Sequence, residues 1–537
     1  MNSFSNKFRS KNLGKISSVI FDVIVIGGGI TGAGIAHDAS SRGLKVALIE
    51  KNDFASGTSS KSTKLIHGGL RYLQNFQFNQ VRITARERKI LHRNIPHLVK
   101  PQDIVIPVYR HNNLSMLKLS VGLSFYEFLG SVSKGDRHRK LNRDELISLI
   151  PNINTSGLIG GFIYKEYKTN DSRLVIETLK EAYRSSAQIF NYLECTEIKK
   201  DEDQYQLTCV DRLNHQNYIF AAKVVVNAGG PWVDDVRSIE EKDSKSKLIL
   251  SKGVHVVFKK ADFPLDTAVY FEHTDSRLIF CVPTSSHVYV GTTDTFYSGS
   301  KEEVKTSKDD IDYLINAVNN SFLNSDLKVS HVRSFWAGLR PLIKKDGKSP
   351  GELSRKDEIY ISNKGMITIA GGKLTGFRKM AENVVDLIFK KHFKTRVFVK
   401  SKTEDLTYFS SGYGKSTLSQ IIQNQKEISD SVLIDLFEKY GNNILEVLEI
   451  YKKGHSIIDS EIIYTIQNEM MALPSDFLMR RTQNLYYPEV ANGLLWNKCS
   501  ELLEKEGVHF SEASKQDLKQ VNRYLDFPNN IRKSNSD

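Results

Sequence analysis

Residues 21–50, FDVIVIGGGITGAGIAHDASSRGLKVALIE, limit what this chain can fold into more than any other stretch. An apolar strand (Val23, Ile24, Val25, Ile26) runs into Gly27, Gly29 and Gly32, and a helix of small residues follows. A second apolar strand (Val46, Ala47, Leu48, Ile49) ends on Glu50. Strand, glycine turn, helix, strand and acid in this order form a dinucleotide-binding fingerprint. Gly27 permits the tight turn, Gly29 lets backbone approach a pyrophosphate, and Gly32 lets helix and strand pack closely. The helix N-terminus offers unpaired N–H groups and partial positive charge to phosphate, and Glu50 offers acceptors to the ribose hydroxyls.

The rest of the chain divides around this element. Residues 1–19 hold Lys7, Arg9, Lys11 and Lys15 with no acid, and a disordered basic extension is expected there. The buried strand Val224-Val225-Val226 runs into Asn227-Ala228-Gly229-Gly230-Pro231-Trp232, and Ile367-Thr368-Ile369-Ala370 runs through Gly371-Gly372 into a helix with one apolar face. These pieces assign residues 20–75, 160–240 and 350–395 to one discontinuous nucleotide-binding domain. Strand-rich runs such as 255–258, 268–271, 278–280 and 288–290 predict an antiparallel sheet, with 76–159 and 241–349 forming a second domain. Residues 405–530 read as a helical C-terminal domain, and Lys533–Asp537 as a disordered tail. The fold class is thus α/β plus α+β.

Four scattered cysteines (Cys195, Cys209, Cys281, Cys499) without CxxC spacing fit a reducing compartment, with no disulfide framework and no metal site. No run approaches the ~18–20 apolar residues that span a bilayer. A formal charge of +13 calls for a nucleic acid, an anionic membrane surface or an anionic substrate, unless it is plain surface solvation. The cations are spread along the chain with no RNA-binding module, so no nucleic-acid partner is expected. Two segments suit an anionic membrane: 79–94, with Arg82, Arg86, Arg88, Lys89 and Arg93, and 114–129, apolar on more than one face (Leu117, Val121, Phe125, Phe128; also Leu119, Leu123, Tyr126). Core packing is the competing reading of the second.

The early fingerprint and the glycine-plus-helix element near residue 371 favour FAD over NAD, because a flavin ring must reach into a neighbouring domain. More specific motifs follow in order. They are Thr58-Ser59-Ser60; Lys64-Leu65-Ile66-His67-Gly68-Gly69-Leu70-Arg71-Tyr72-Leu73; Asn227 to Trp232; Lys252-Gly253 with His255; Gly291-Thr292-Thr293-Asp294; Gly338-Leu339-Arg340-Pro341-Leu342; Gly371-Gly372-Lys373-Leu374-Thr375; and Arg480-Arg481-Thr482. This ordered set, spanning roughly residues 20–490, resembles the FAD-dependent glycerol-3-phosphate dehydrogenases of aerobic type. The resemblance implies a glutathione-reductase-like FAD domain, an antiparallel-sheet substrate domain and a helical cap. It implies oxidation of sn-glycerol 3-phosphate to dihydroxyacetone phosphate, with electrons passed to membrane quinone by an enzyme peripheral to the inner face of the cell membrane, and a homodimer as one possible assembly. No EF-hand loop appears, which favours a bacterial-type enzyme. The rival readings are a glycerol-3-phosphate oxidase using oxygen, another flavin amine or 2-hydroxy-acid oxidoreductase, and, remotely, a nucleic-acid-associated flavoprotein.

Such an oxidation removes the hydroxyl proton while the C2 hydride moves to flavin N5, and it needs a phosphate site and a base. By resemblance, Arg71, Tyr72 and Lys373 take the phosphate, with Arg355 a fourth candidate. Arg340 holds the substrate oxygen and stabilises alkoxide charge. His67 and His255 are the two candidate bases. The expected cofactor contacts are Gly27, Gly29, Gly32, Glu50, Thr58, Ser59, Ser60, Lys64, Leu65, His67, Gly68 and Gly69 early in the chain, Ala228, Gly229 and Trp232 in the middle, and Gly372, Lys373, Leu374 and Thr375 late.

Overall fold

The computed structural model describes residues 4–68, 78–110, 115–130, 132–242, 244–344, 357–411, 414–488, 492–508 and 510–525. Its first sheet is centred on β1 (Ile20–Ile26), paired in parallel with β2 (Val46–Ile49) and β10 (Asn217–Asn227). The order is β17-β18-β10-β1-β2-β7, with β7 at Gln188–Phe190, β17 at Glu358–Ile361 and β18 at Ile367–Ala370. The hairpin β8 (Leu193–Asp201) and β9 (Gln204–Asp211) joins through β10.

Alternation along β1 explains its unbroken apolar run. Val23 and Val25 enter a core with the helices Ile30–Ser41 and Phe377–His392, through Ala33, Ala36, Val384 and Val385. Ile24 and Ile26 enter an opposite core with Phe190, Leu207, Phe220 and Val225. Both faces are covered, so no polar alternation is needed. Each such residue, fully buried, contributes roughly 1.5–3 kcal/mol.

The second sheet runs β15 (Thr295–Tyr297), β11, β14, β13 (Leu278–Pro283), β12 (Ala268–Glu272), β4 (Lys100–Tyr109), β6 and β3, with β16 on β11 and β5 (Arg139–Asn142) on β6. Its site-bearing strands are β3 (Leu65–Ile66), β6 (Leu158–Lys168), β11 (Leu248–Lys259), β14 (His287–Gly291) and β16 (Ser334–Ile343). Along β11, Val254, Val256 and Phe258 pack toward the helix Lys308–Ser321 through Ile311 and Leu314. Val257 faces the opposite core, shared with Trp336 and with Tyr440, Tyr464, Phe477 and Tyr486 of the helical C-terminal region.

The structure corrects three expectations. From residue 4 on, the basic N-terminal segment is ordered, with a helix at Asn6–Leu13. Phe4, Leu13 and Ile16 are buried, and Arg9 donates to Asp211 at 2.9 Å and to the Asn191 carbonyl. Its charge is thus consumed by a distant acid rather than by water. The boundary at residue 160 falls inside β6, so residues 160–168 belong to the second sheet, as does β3. Finally, the helix Phe78–Asn94 is basic on its surface only in part: Arg88 is buried against Glu166, whereas Arg82 and Lys89 are exposed, and Arg86 and Arg93 meet Glu404 and Asp405 in exposed surface pairs. The expected tail at Lys533–Asp537 lies outside the described residues.

Candidate active site

The two sheets enclose one cavity of about 770 Å³. That is within the ~300–1,000 Å³ typical of ligand sites. One wall is the glycine turn after β1. A Cβ on Gly27 would lie 2.5 Å from the Ala228 carbonyl oxygen, and one on Gly32 would lie 1.9 Å from the Gly27 oxygen. Only hydrogens fit, which brings turn, helix and the Asn227–Gly229 segment together. Glu50 accepts the Gly28 N–H at 2.7 Å and the Asn52 N–H at 2.9 Å. Burial raises its carboxyl above the ordinary value, with those N–H groups opposing. Ser59 Oγ accepts the Ile30 N–H at 3.0 Å, beside the helix N-terminus. Backbone donors at a helix start, a ribose-ready carboxylate and hydroxyls on the facing loop are the donor set a diphosphate dinucleotide requires.

The segment 58–68 is the seam between the sheets. Thr58 Oγ1 donates to the Leu339 carbonyl at 2.6 Å, Trp336 Nε1 to the Ser62 carbonyl at 3.1 Å, and Tyr289 OH to the Thr63 carbonyl at 3.0 Å. Asp171 takes Ser62 Oγ at 2.7 Å and Lys64 Nζ at 2.8 Å. The Lys64 side chain is therefore buried in an ion pair under the seam. Gly32, Ser60 and Gly68, also expected on the cofactor, do not line the cavity either. Among the described candidates, Gly27, Gly29, Glu50, Thr58, Ser59, Leu65, His67, Ala228, Gly229, Trp232, Gly372, Lys373, Leu374 and Thr375 line the cavity. Gly69, Arg71, Tyr72 and Arg355 lie outside the described residues.

His67, His255, Arg340 and Lys373 all line this one cavity although their segments are far apart in sequence. Thr375 Oγ1 donates to the His67 carbonyl at 3.1 Å, locking the late glycine element onto the early turn. The His255 ring stacks on Trp336 with centroids 4.8 Å apart, and its Nε2 lies 3.1 Å from Thr63 Oγ1. Burial first, then the charges of Arg340 and Lys64, hold the imidazole well below its ordinary pKa. It is neutral at physiological pH. A Cβ on Gly291 would lie 2.1 Å from the His255 ring, so that glycine makes room for it. Arg340 donates to Asp294 Oδ1 at 3.0 Å, Thr292 Oγ1 at 3.0 Å and the Thr293 carbonyl at 3.2 Å. Three partners on one segment fix its guanidinium fork.

Glu166 and Lys61 are among the lining residues that escaped the sequence reading. Glu166, on β6, lines the cavity and accepts from the Gly68 N–H (3.2 Å), Arg88 (2.7 Å) and Tyr126 OH (3.0 Å). It braces the turn that carries His67. Its only sequence signal is that it is the one acid of β6, set between Lys165 and Lys168. Lys61 also lines the cavity; burial and Arg480 bring its ammonium down to about 8, with Glu302 opposing. Its signal was its place directly after Thr58-Ser59-Ser60.

Comparison with known proteins agrees with this geometry. Residues 22–378 match the FAD dependent oxidoreductase family, and residues 401–507 match the C-terminal domain of alpha-glycerophosphate oxidase. The chain is 42% identical over 506 residues to the aerobic glycerol-3-phosphate dehydrogenase of Staphylococcus aureus (strain MRSA252), covering 91% of this chain and 90% of that one. The structure of the glycerol-3-phosphate dehydrogenase from Bacillus halodurans, complexed with FAD, superposes with a TM-score of 0.81 at 33% identity, covering 97% and 98% of the two chains. An L-alpha-glycerophosphate oxidase from Mycoplasma pneumoniae shares the fold, with a TM-score of 0.57 at 19% identity over 73% of this chain and 98% of that one. A chain with this dinucleotide cradle, these two sheets and these relatives belongs to the FAD-dependent aerobic glycerol-3-phosphate dehydrogenase family.

Proposed function

We propose that this enzyme oxidises sn-glycerol 3-phosphate to dihydroxyacetone phosphate and passes the electrons to a membrane quinone. The observation that carries the reading is the convergence of His67, His255, Arg340 and Lys373 on the cavity that the dinucleotide cradle opens into. FAD, when bound, supplies the hydride acceptor. Lys373 binds the phosphate dianion, joined by Arg71 and Tyr72 and with Arg355 as a further cation. Arg340 holds the C2 oxygen and stabilises charge developing on it. His255 takes the hydroxyl proton at Nε2, the nitrogen facing the cavity-lining Thr63. A neutral imidazole is the protonation state this step needs. His67 shapes the same wall and is the comparison residue.

Anaerobic addition of sn-glycerol 3-phosphate to the flavin-loaded enzyme tests the substrate: visible flavin absorbance should bleach. No bleaching in a fully loaded sample would overturn it. Readmitting a quinone analogue or oxygen to the reduced enzyme then separates dehydrogenase from oxidase; faster reoxidation by oxygen would overturn the quinone assignment.

The membrane partner is proposed on the helix Met116–Gly130. Its two apolar faces divide cleanly. Leu119, Leu123 and Tyr126 are buried, whereas Leu117 is 75% exposed, Val121 62% and Phe128 77%. Phe125 joins this outer row, with its ring edge-to-face on Phe78. Lys118, Lys134, Arg137 and Lys140 are exposed nearby in sequence and join the exposed cations of 79–94 as the basic complement to anionic lipid. No helix among the described residues is long and apolar enough to cross a membrane. Sedimentation with anionic liposomes should capture the enzyme at low salt and less at high salt. An F128E variant that binds equally well would sink this face.

A further inference from the structure

Arg480 and Arg481 belong to a motif that the reaction leaves without a task. They sit on the π-helical turn Asp476–Arg481 in the C-terminal region, yet their guanidiniums meet an acid more than 400 positions earlier. Arg481 forks onto Asp53, with Nη1 at 2.7 Å from Oδ2 and Nη2 at 3.0 Å from Oδ1. Arg480 Nε donates to the same Oδ2, and its Nη2 holds Asp476 at 2.7 Å. All three residues of the Asp53 cluster are buried.

Asp53 is not remote from the cofactor. It lies in the loop between Glu50, the ribose acceptor, and Thr58 and Ser59, which line the cavity. The next residue, Phe54, is fully buried beneath the glycine turn: a Cβ on Gly28 would lie 2.9 Å from its ring. Ala55 returns its N–H to the Gly28 carbonyl at 3.0 Å, in a left-handed conformation at φ 60°. A non-glycine residue in that region persists when its surroundings fix it. The Asp53 carboxylate is the anchor that does so. Burial pushes its pKa up and the two arginines outweigh that, keeping it ionised.

We infer that Arg480 and Arg481 are positioning residues for FAD, clamping the 50–57 loop onto the glycine turn through Asp53, so that the helical C-terminal region completes the adenine-dinucleotide cradle. The inference rests on FAD occupying the cavity described above. It predicts a distinct energetic signature. A bidentate guanidinium–carboxylate pair fixes orientation as well as charge, so lysine at 481 keeps the charge and loses the fork. The loop then loosens while both domains remain folded. Affinity for the ADP half of the cofactor falls with that for FAD, and chemistry at the flavin end does not.

The test is an FAD titration of the full-length apoenzyme by flavin fluorescence, with ADP as a competing probe, on wild type, Arg481→Lys, Arg480→Lys and Asp53→Asn. The clamp expects FAD and ADP dissociation constants to rise together by tenfold or more in Arg481→Lys. It expects the substrate-driven flavin reduction rate at saturating FAD to stay within twofold, and the Asp53→Asn/Arg481→Lys double variant to be no worse than the poorer single one. A merely structural brace would lower the melting temperature of the apoenzyme while the folded fraction bound FAD normally, and that result would overturn the proposal. So would additive effects in the double variant. Wild-type apoenzyme that failed to take up FAD at all would instead reject the cofactor site itself. Should Asp53→Asn not fold, the two lysine variants carry the test alone.

Discussion

The cavity has two walls made in opposite ways. The cradle wall is backbone: N–H groups, carbonyls and places where no Cβ fits. The wall we propose for substrate is side chain: imidazoles, a guanidinium and an ammonium, delivered by strands and loops far apart in sequence. In the cradle a single added methyl displaces main chain, whereas on the other wall the terminal side-chain atoms decide. The first wall should therefore fail through binding and the second through rate.

The largest expected effect is on the cradle. With its new Cβ 1.9 Å from the Gly27 oxygen, Gly32→Ala must push helix from strand. FAD should be lost during purification, leaving a colourless protein. A yellow, active Gly32→Ala enzyme would break the contrast at once. On the other wall, His255→Asn should retain flavin and bind substrate, yet slow anaerobic flavin reduction by ~10²–10⁴-fold, the usual contribution of a positioned base. Because His255 is already neutral, the wild-type reduction rate should show no histidine limb between about pH 6 and 8, near the ordinary pKa of ~6.5. If His67→Asn is the slower of the two, the proton assignment moves to His67.

The same contrast decides what the sequence could tell. The cradle was legible because strand, turn, helix and acid lie within thirty consecutive residues and each has a steric or electrostatic requirement. His67, Arg340 and Lys373 were legible only as motifs, since nothing local says that Thr375 bonds the His67 carbonyl. Long-range ion pairs were illegible. Arg9 and Arg88 read as solvent-facing cations because their acids, Asp211 and Glu166, lie far along the chain. Lys64 was placed on the cofactor by resemblance, and its partner Asp171, over a hundred residues away, could not be read from the sequence. The split faces of the helix 116–130 were visible in its spacing, but which face met water depended on Tyr126 finding Glu166.

Glu166 lies between the two walls in kind: a side chain whose work is to hold a backbone turn. Glu166→Gln keeps the shape but weakens the charge-assisted bonds from Arg88 and leaves that guanidinium buried and unpaired. Breaking a buried pair costs about 3–5 kcal/mol, so the melting temperature should drop by several degrees. The turn carrying His67 should loosen, raising KM for substrate severalfold with a smaller change in the reduction rate. An unchanged KM alongside the lost stability would make Glu166 a structural residue only.

The smallest effect tests whether any side-chain charge matters to the cradle. Lys61 holds its proton against burial and Arg480, which place its ammonium near 8 rather than the ordinary ~10.5. In the unfolded chain the group stays protonated to higher pH, so between about pH 8 and 10 the unfolded state binds more protons. Apoenzyme stability contributed by this lysine therefore rises with pH across that window. A diphosphate beside Lys61 would act in the other direction, favouring the charged amine and drawing a proton on binding. The FAD dissociation constant should then increase through the same window in which the apoenzyme becomes more stable, by up to about tenfold for each pKa unit that binding restores. Lys61→Met should flatten both trends while costing little FAD affinity above about pH 10.5, where the wild-type amine is neutral in both states. Parallel rather than opposed trends in the wild type would mean that Lys61 faces away from the diphosphate and that the cradle works through backbone alone.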